Sequence, residues 1–138
     1  MPQFSGSFSG KSNSQAIVAL KDVPGHELSL IEVSGPQTST DPLWNGATVT
    51  YWGTGDLTAG NGSQTGYFMN RHANGDISRG TFAGTIATEA GAVTMRGDWK
   101  FAGGTGTFAR VSGGGTYQGP ITSPTQVEVS WEGSYQLG

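Results

Sequence analysis

Residues 127–137 read VEVSWEGSYQL, in which apolar or glycine positions alternate with polar ones. In an extended chain, one face would carry Val127, Val129, Trp131, Gly133, Tyr135 and Leu137. The other face would carry only Glu, Ser and Gln side chains. Residues 93–101 (VTMRGDWKF) repeat this arrangement. Because successive side chains of a strand point to opposite faces, the pattern is typical of an antiparallel sheet with one buried and one solvated face. We therefore predict strands over both stretches.

Turn signals between other alternating segments extend the sheet along the chain. Asn-Gly pairs occur at 45–46, 61–62 and 74–75, and both residue types tolerate the positive φ of tight hairpin turns. The pair at 74–75 lies between alternating segments, which are 65–72 and 77–87. Further strands are expected at 3–9, 15–20, 27–33, 47–54, 106–111 and 114–118. Short strands at this spacing, without helical periodicity between them, predict an all-β domain over 1–138, a single closed antiparallel barrel of about eight strands.

Glycine is unusually abundant, with 24 residues in 138, where about 7% is typical. Such a composition occurs in disordered chains as well as in glycine-rich β domains. A recurring unit of glycine, then Ser or Thr, then an aromatic residue favours the β domain. The unit occurs at Gly6-Ser7-Phe8, Gly80-Thr81-Phe82, Gly106-Thr107-Phe108, Gly115-Thr116-Tyr117 and Gly133-Ser134-Tyr135. Positions i and i+2 of a strand share a face, so each glycine would lie beside a ring able to cover it in a strongly curved barrel.

Charge and composition exclude several classes of partner. Only 12% of the residues are charged, the net charge is -3 and the seven Lys and Arg residues are scattered singly, so we expect no nucleic-acid partner. No apolar run approaches the roughly 20 residues of a membrane helix, so we expect no membrane partner. With no cysteine and two histidines without ligand-like spacing, we expect no metal site. The N-terminal residues carry no secretion signal, which favours a cytoplasmic location.

The most informative polar stretch is 67–72, YFMNRH. Alternation places Phe68, Asn70 and His72 on one face and Arg71 on the other. If the first face points inward, Asn70 and His72 would meet inside the barrel, where a histidine can move a proton near neutral pH. If the opposite face points inward, Arg71 would be an interior cation that needs an acidic partner or an anionic ligand. The third interpretation is that these polar groups reach solvent at the barrel rim.

Glu32 poses the same question of orientation. In one register it shares an inward face with Leu28 and Leu30, and would be a carboxylate with a raised pKa suited to acid–base chemistry. The competing register buries Ile31 and Val33 and leaves Glu32 in water.

Several aromatic rings lie on faces that we expect to be buried. They are Tyr51, Trp99, Trp131 and Tyr135. A ring-lined interior suits a flat hydrophobic ligand, although each ring could equally serve ordinary core packing.

Residues 101–117 read FAGGTGTFARVSGGGTY. This stretch resembles the F-x-G-G-T-G-x-F…G-x-G-x-Y signature of the allene oxide cyclase and dirigent-like barrel superfamily, and small bacterial proteins of unassigned activity share it. The resemblance implies a calycin-like, allene oxide cyclase-like barrel of eight antiparallel strands with an apolar cavity, assembled as a homo-oligomer (dimer or trimer). It also implies that hydrophobic intermediates are shaped by confinement, without a metal or organic cofactor. Allene oxide cyclases use an interior glutamate, and Glu32 is its nearest analogue here by character.

The leading hypothesis is a cofactor-independent isomerase, cyclase or lyase that acts on a small hydrophobic, oxygenated molecule inside the barrel. Its catalytic residues would be Glu32, Tyr51, Arg71 and His72. Its substrate contacts would be Phe68, Asn70, Trp99, Trp131 and Tyr135. The alternatives are a non-catalytic carrier of a small hydrophobic ligand, comparable in role to lipocalins or avidins, and a barrel filled by its own side chains. A cavity above about 300 Å³ with neighbouring inward polar groups would favour the enzyme, and a purely apolar cavity the carrier.

Overall fold

The computed structural model describes residues 3–138, and these form eight strands in a closed antiparallel barrel. Each strand pairs with the next one along the chain, and the last pairs with the first. The strands are β1 (Gln3–Ala19), β2 (His26–Ser39), β3 (Thr48–Thr58), β4 (Asn61–Arg71), β5 (Ile77–Glu89), β6 (Ala92–Gly104), β7 (Ser112–Ser123) and β8 (Gln126–Gln136). The predicted all-β, closed, eight-stranded antiparallel barrel is confirmed. In the part of the chain that the structure describes, no helix is long and apolar enough to cross a membrane.

Three local predictions differ from the structure. The segments predicted at 3–9 and 15–20 form one long strand, β1, with a bulge near Ser12. The segment predicted as a strand at 106–111 contains no strand; it forms a single 3₁₀ turn, Gly106–Phe108, and a further turn before β7, and Gly106 has a φ of 54°. The pair Asn61-Gly62 lies within β4, and the hairpin turn before it is made by Ala59 and Gly60, with φ values of 53° and 81°.

The interior is built from the alternating faces that the sequence predicts. On β8, Val127, Val129 and Tyr135 are buried, while the glutamates and serines between them are not. On β6, Met95 is buried and Trp99 packs against the same core cluster. The two stretches with the clearest alternation, now β6 and β8, therefore contribute to the core through the faces that the sequence predicts.

Glycines let the aromatic rings lie flat against the barrel wall. A Cβ atom on Gly80 would come within 2.5 Å of the Phe68 ring, and one on Gly133 within 2.7 Å of the Trp99 ring. The covering ring therefore belongs to another strand, and not to the aromatic residue two positions further along the same strand. Because glycine has no Cβ, these positions leave room for aromatic rings from other strands to pack against the backbone inside the barrel.

The two ends of the barrel differ. The turn end carries the connections at 20–25, 59–60, 90–91 and 124–125. The closed end carries the longer loops at 40–47, 72–76 and 105–111. A second buried cluster packs at the closed end around Trp44, which is 1% exposed, and Phe108. This cluster lies next to the cavity described below.

Candidate functional site

A cavity of about 90 Å³ lies inside the barrel. Ten of its sixteen lining residues are aromatic, three are aliphatic and three are amides, and no charged residue is found among the described residues that line it. The volume is below the roughly 300 Å³ of typical small-molecule sites. A ligand of this cavity must therefore be compact, or the lining rings must rotate to admit it.

Five of the predicted site residues line this cavity. They are Tyr51, Phe68, Asn70, Trp99 and Trp131. Phe68 and Asn70 lie on the inward face of β4. Tyr67 and Arg71 lie on the opposite face and are exposed. Of the two orientations considered for 67–72, the structure has the one with Phe68 inside.

Tyr51 is the predicted catalytic residue that lies in the cavity. Its side chain is 7% exposed, and its hydroxyl forms no hydrogen bond with any group in residues 3–138. Burial raises the pKa of Tyr51, and the nearby Tyr117 raises it further. The hydroxyl therefore keeps its proton over the physiological range and is a donor without a protein acceptor.

The hydroxyl of the nearby Tyr117, in contrast, already has a hydrogen-bond partner. The amide Nε2 of Gln64 donates to the Tyr117 hydroxyl over 2.7 Å, and burial raises the pKa of Tyr117. Neither residue was predicted from the sequence as part of the site, although Gln64 shares the inward face of β4 with Phe68 and Asn70. Gln64 could have been identified from the sequence, because it is a polar residue in the alternating face that also carries Phe68.

Gln37 is a second interior amide that the sequence analysis missed. Its Oε1 accepts from the indole N–H of Trp131 over 3.1 Å, and its Nε2 donates to the Trp44 carbonyl over 3.3 Å. Gln37 thereby fixes one ring of the cavity wall and the loop at the closed end. The indole N–H of Trp44, in contrast, is buried without a hydrogen-bond partner among the described residues.

A buried polar chain runs from the cavity wall to the closed end. The Asn70 amide donates to Ser78 Oγ over 3.1 Å, and Ser78 Oγ lies 2.9 Å from His72 Nε2. His72 Nδ1 lies 2.7 Å from the Leu43 carbonyl. Because a carbonyl can only accept, Nδ1 carries the proton and Nε2 accepts from the serine hydroxyl. Burial lowers the pKa of His72, so the ring is neutral and joins β4, β5 and the loop at 40–47.

Glu32 and Arg71, two residues predicted as catalytic, lie outside the barrel, which corrects the interpretations that placed them in its interior. Glu32 lies on the outer face of β2, where it accepts from the Trp52 indole over 3.0 Å and from the Asn13 amide over 3.2 Å. The structure has the register that buries Val33. Glu32 therefore shares the outer face of β2 with Leu28 and Leu30, which are exposed. Arg71 is exposed at the end of β4.

Two further predicted site residues lie at the closed end and do not line the cavity. His72 stacks on Phe108, with ring centroids 3.9 Å apart. The Tyr135 hydroxyl donates to the Asp41 carboxylate, and burial raises the pKa of Tyr135 to about 12. Both side chains hold loops of the closed end against the strands. Within residues 3–138, no group of three or more His, Asp or Glu side chains is arranged to hold a metal ion.

Comparisons with known proteins define the fold further. No family model matches the chain, and no curated protein matches it. A similar solved structure is that of the pterocarpan synthase dirigent protein GePTS1, with a TM-score of 0.52 and 16% sequence identity. The match covers 99% of this chain and 87% of that chain. At this identity the likeness shows the fold alone, which is a dirigent-like barrel.

Proposed function

We propose that the barrel interior binds one small, flat, uncharged organic molecule that carries a hydrogen-bond-accepting oxygen. The observation that carries this proposal is the unpartnered hydroxyl of Tyr51 in an aromatic cavity. A ligand oxygen that accepts from Tyr51 would give this cavity-lining hydroxyl a partner that the described residues do not supply, and one such hydrogen bond contributes about 0.5–1.5 kcal/mol. The buried indole N–H of Trp44, another residue of the lining, is a second donor without a partner.

The uncharged lining argues for a neutral ligand. A carboxylate or ammonium group would lose its hydration in the cavity without meeting an opposite charge, which is a large cost. The aromatic walls suit a flat ring, since rings pack edge-to-face or offset on one another. The similar dirigent protein is named a pterocarpan synthase, so a barrel of this fold is associated with small-molecule chemistry.

The cavity is smaller than the size expected for the enzyme and is not purely apolar, so its volume and lining alone favour neither role. We favour a binding or carrier role because Tyr51 alone of the four predicted catalytic residues lines the cavity. The second candidate is the cofactor-independent isomerase, cyclase or lyase. In that case the walls would hold the molecule in a reactive conformation, and Tyr51 would donate a hydrogen bond to the oxygen on which charge develops. The Tyr51 hydroxyl supports this second candidate, because it lines the cavity and no acceptor among the described residues competes for its proton.

A set of probes of similar shape tests the binding proposal. Acetophenone offers a neutral acceptor, ethylbenzene has none, benzoate is an anion and benzylamine a cation. We expect acetophenone to bind most tightly, ethylbenzene less tightly, and the two ions not at all. Tyr51→Phe should weaken acetophenone binding about three- to tenfold, the value of one hydrogen bond, and leave ethylbenzene binding unchanged. Dissociation constants would be measured by NMR titration.

Tyr67→Phe is the matched control, because Tyr67 is exposed on the outer face of the neighbouring strand. It should leave every dissociation constant unchanged. Tightest binding of benzoate, or equal binding of acetophenone by the wild type and Tyr51→Phe, would contradict the proposal. For the second candidate, a panel of epoxides and enones would be screened for isomerised products. Turnover that persists in Tyr51→Phe would remove the proposed role of this hydroxyl.

A further inference from the structure

Strand β1 extends beyond the partner that closes the barrel. The pairing of β1 with β8 ends at Lys11 and Gln126, and the backbone N–H of Ser12 makes the last contact, with the Thr125 carbonyl over 2.8 Å. From there to Ala19, β1 pairs only with β2. Residues 13–19, here called the edge segment, therefore have one side without a neighbouring strand.

The direction of the backbone groups identifies which residues face that free side. The N–H of Leu20 donates to the His26 carbonyl, toward β2. Since both backbone groups of alternate residues point to the same side of a strand, Val18 also faces β2. Gln15, Ile17 and Ala19 then present their N–H and C=O groups at the free edge. Such a row of unpaired groups is a template for another extended strand.

The side chains of the edge segment are exposed as well, and two of them make hydrogen bonds to the barrel: Asn13 donates to Glu32 and Ser34, and Gln15 donates to the Pro124 carbonyl. All seven residues are exposed, and Ile17 and Val18 are 55% and 60% exposed. Leu28 and Leu30, which lie across from Val18 and Ala16 on β2, are exposed as well. Proteins usually protect such an edge with charged residues or proline, and the edge segment has neither.

We propose that the edge segment pairs antiparallel with the same segment of a second copy, so that one sheet continues through two barrels. The occupant is a second copy because the segment is uncharged and can therefore face itself without repulsion. A register centred on Ala16 would set Lys11 of one copy against Lys21 of the other, whereas a register centred on Ile17 offsets them. We infer the Ile17 register, in which Ala16 and Val18 of the two copies are cross-strand neighbours.

The length of the segment sets the strength of the dimer. Seven residues at about 3.3 Å per residue give a paired edge roughly 23 Å long. One added strand of this length is a small contact compared with the interfaces of stable dimers, which bury about 800 Å² per partner. We therefore expect the dimer to dissociate on dilution.

Sedimentation equilibrium of the full chain tests the proposal. The wild type should sediment as a monomer–dimer mixture, and Ile17→Lys should raise the dissociation constant at least tenfold. Tyr67→Lys is the matched control, because Tyr67 is an exposed strand residue of β4, which is paired on both sides and far from the edge segment in the barrel. It should leave the dissociation constant unchanged. Ile17→Pro removes the backbone N–H that faces the free edge and leaves the hydrogen bonds to β2 in place. This variant should also be monomeric, and it should still unfold cooperatively on heating.

Disulfide trapping tests the register. The chain has no cysteine, so Ile17→Cys introduces a single thiol that would face its own copy across the twofold axis. Paired residues of an antiparallel sheet have Cα atoms about 4.5–5.5 Å apart, within the range of a disulfide. Mild oxidation should trap Ile17→Cys as a dimer, and should trap Val23→Cys much less. A wild type that is monomeric at millimolar concentration, a trimer, or a dimer insensitive to Ile17→Lys would overturn the proposal.

Discussion

The closed end and the turn end of the barrel each contain one histidine, in opposite environments. At the closed end, His72 is buried between Phe108 and Trp44, and both ring nitrogens contact neutral partners. At the turn end, His26 lies between two carboxylates, 2.8 Å from that of Asp22 and 2.6 Å from that of Asp56. The closed end therefore favours the neutral form of histidine and the turn end the charged form, because burial disfavours the charge and nearby carboxylates favour it.

The two histidines therefore give opposite dependences of stability on pH. Burial lowers the pKa of His72, so its contribution is present above the unfolded pKa of about 6.5 and is lost as the pH falls through the folded pKa. The hydrogen bonds with Asp22 and Asp56 raise the pKa of His26. Its contribution is complete below pH 6.5 and is lost as the pH rises through the folded pKa.

The largest expected effect comes from removing the indole at the closed end. Trp44→Ala should lower the free energy of unfolding by about 3–5 kcal/mol, because it leaves a cavity beneath three loops. Trp44→Phe keeps most of the packing and removes an N–H group without a partner, so it should cost clearly less. Trp52→Ala, on the outer face, should cost about 1 kcal/mol or less. Urea denaturation would measure all three, and equal losses for Trp44→Ala and Trp52→Ala would contradict this assignment of the core.

An intermediate effect is expected at His72. His72→Ala leaves Ser78 and the Leu43 carbonyl without their buried partner and should cost about 2–4 kcal/mol at pH 7.5. The wild type should also lose stability between pH 7 and pH 5, and this loss should be smaller in the variant. Urea denaturation at a series of pH values checks both statements. An unchanged acid-side slope in His72→Ala would show that another group causes the loss.

The smallest effect is expected at the exposed turn end. His26→Gln removes the charge that faces two carboxylates, so it should lower the melting temperature slightly at pH 5.5 and have no effect at a pH above the raised pKa of His26. The hydrogen bond with His26 lowers the pKa of Asp22, so the same contribution should also fade as the pH drops below 4. Melting curves in low salt would show the difference, and 1 M salt should reduce it. A larger effect at pH 9 than at pH 5.5 would be the contrary result.

Much of the wall of the site could be predicted from local patterns. The alternation in β4 placed Phe68 and Asn70 on one face, and the structure turns that face inward. Tyr51, Trp99 and Trp131 were expected on buried faces and line the cavity. The orientations of Glu32 and Arg71 stayed open in the sequence, because alternation defines two faces without saying which one points inward. That choice depends on where the larger apolar area can be buried by all eight strands together.

The sequence by itself determined most of the strands, the closed all-β architecture and the division of each strand into two faces, because these follow from side-chain alternation and turn residues within a few positions. Only the tertiary structure decided which polar groups meet. Gln64 reaches Tyr117 across 53 positions of the chain, and Gln37 reaches Trp131 across 94. Those pairs depend on the stagger of the strands around the barrel. The free edge of β1 has the same origin, since it exists because β8 begins only opposite Lys11.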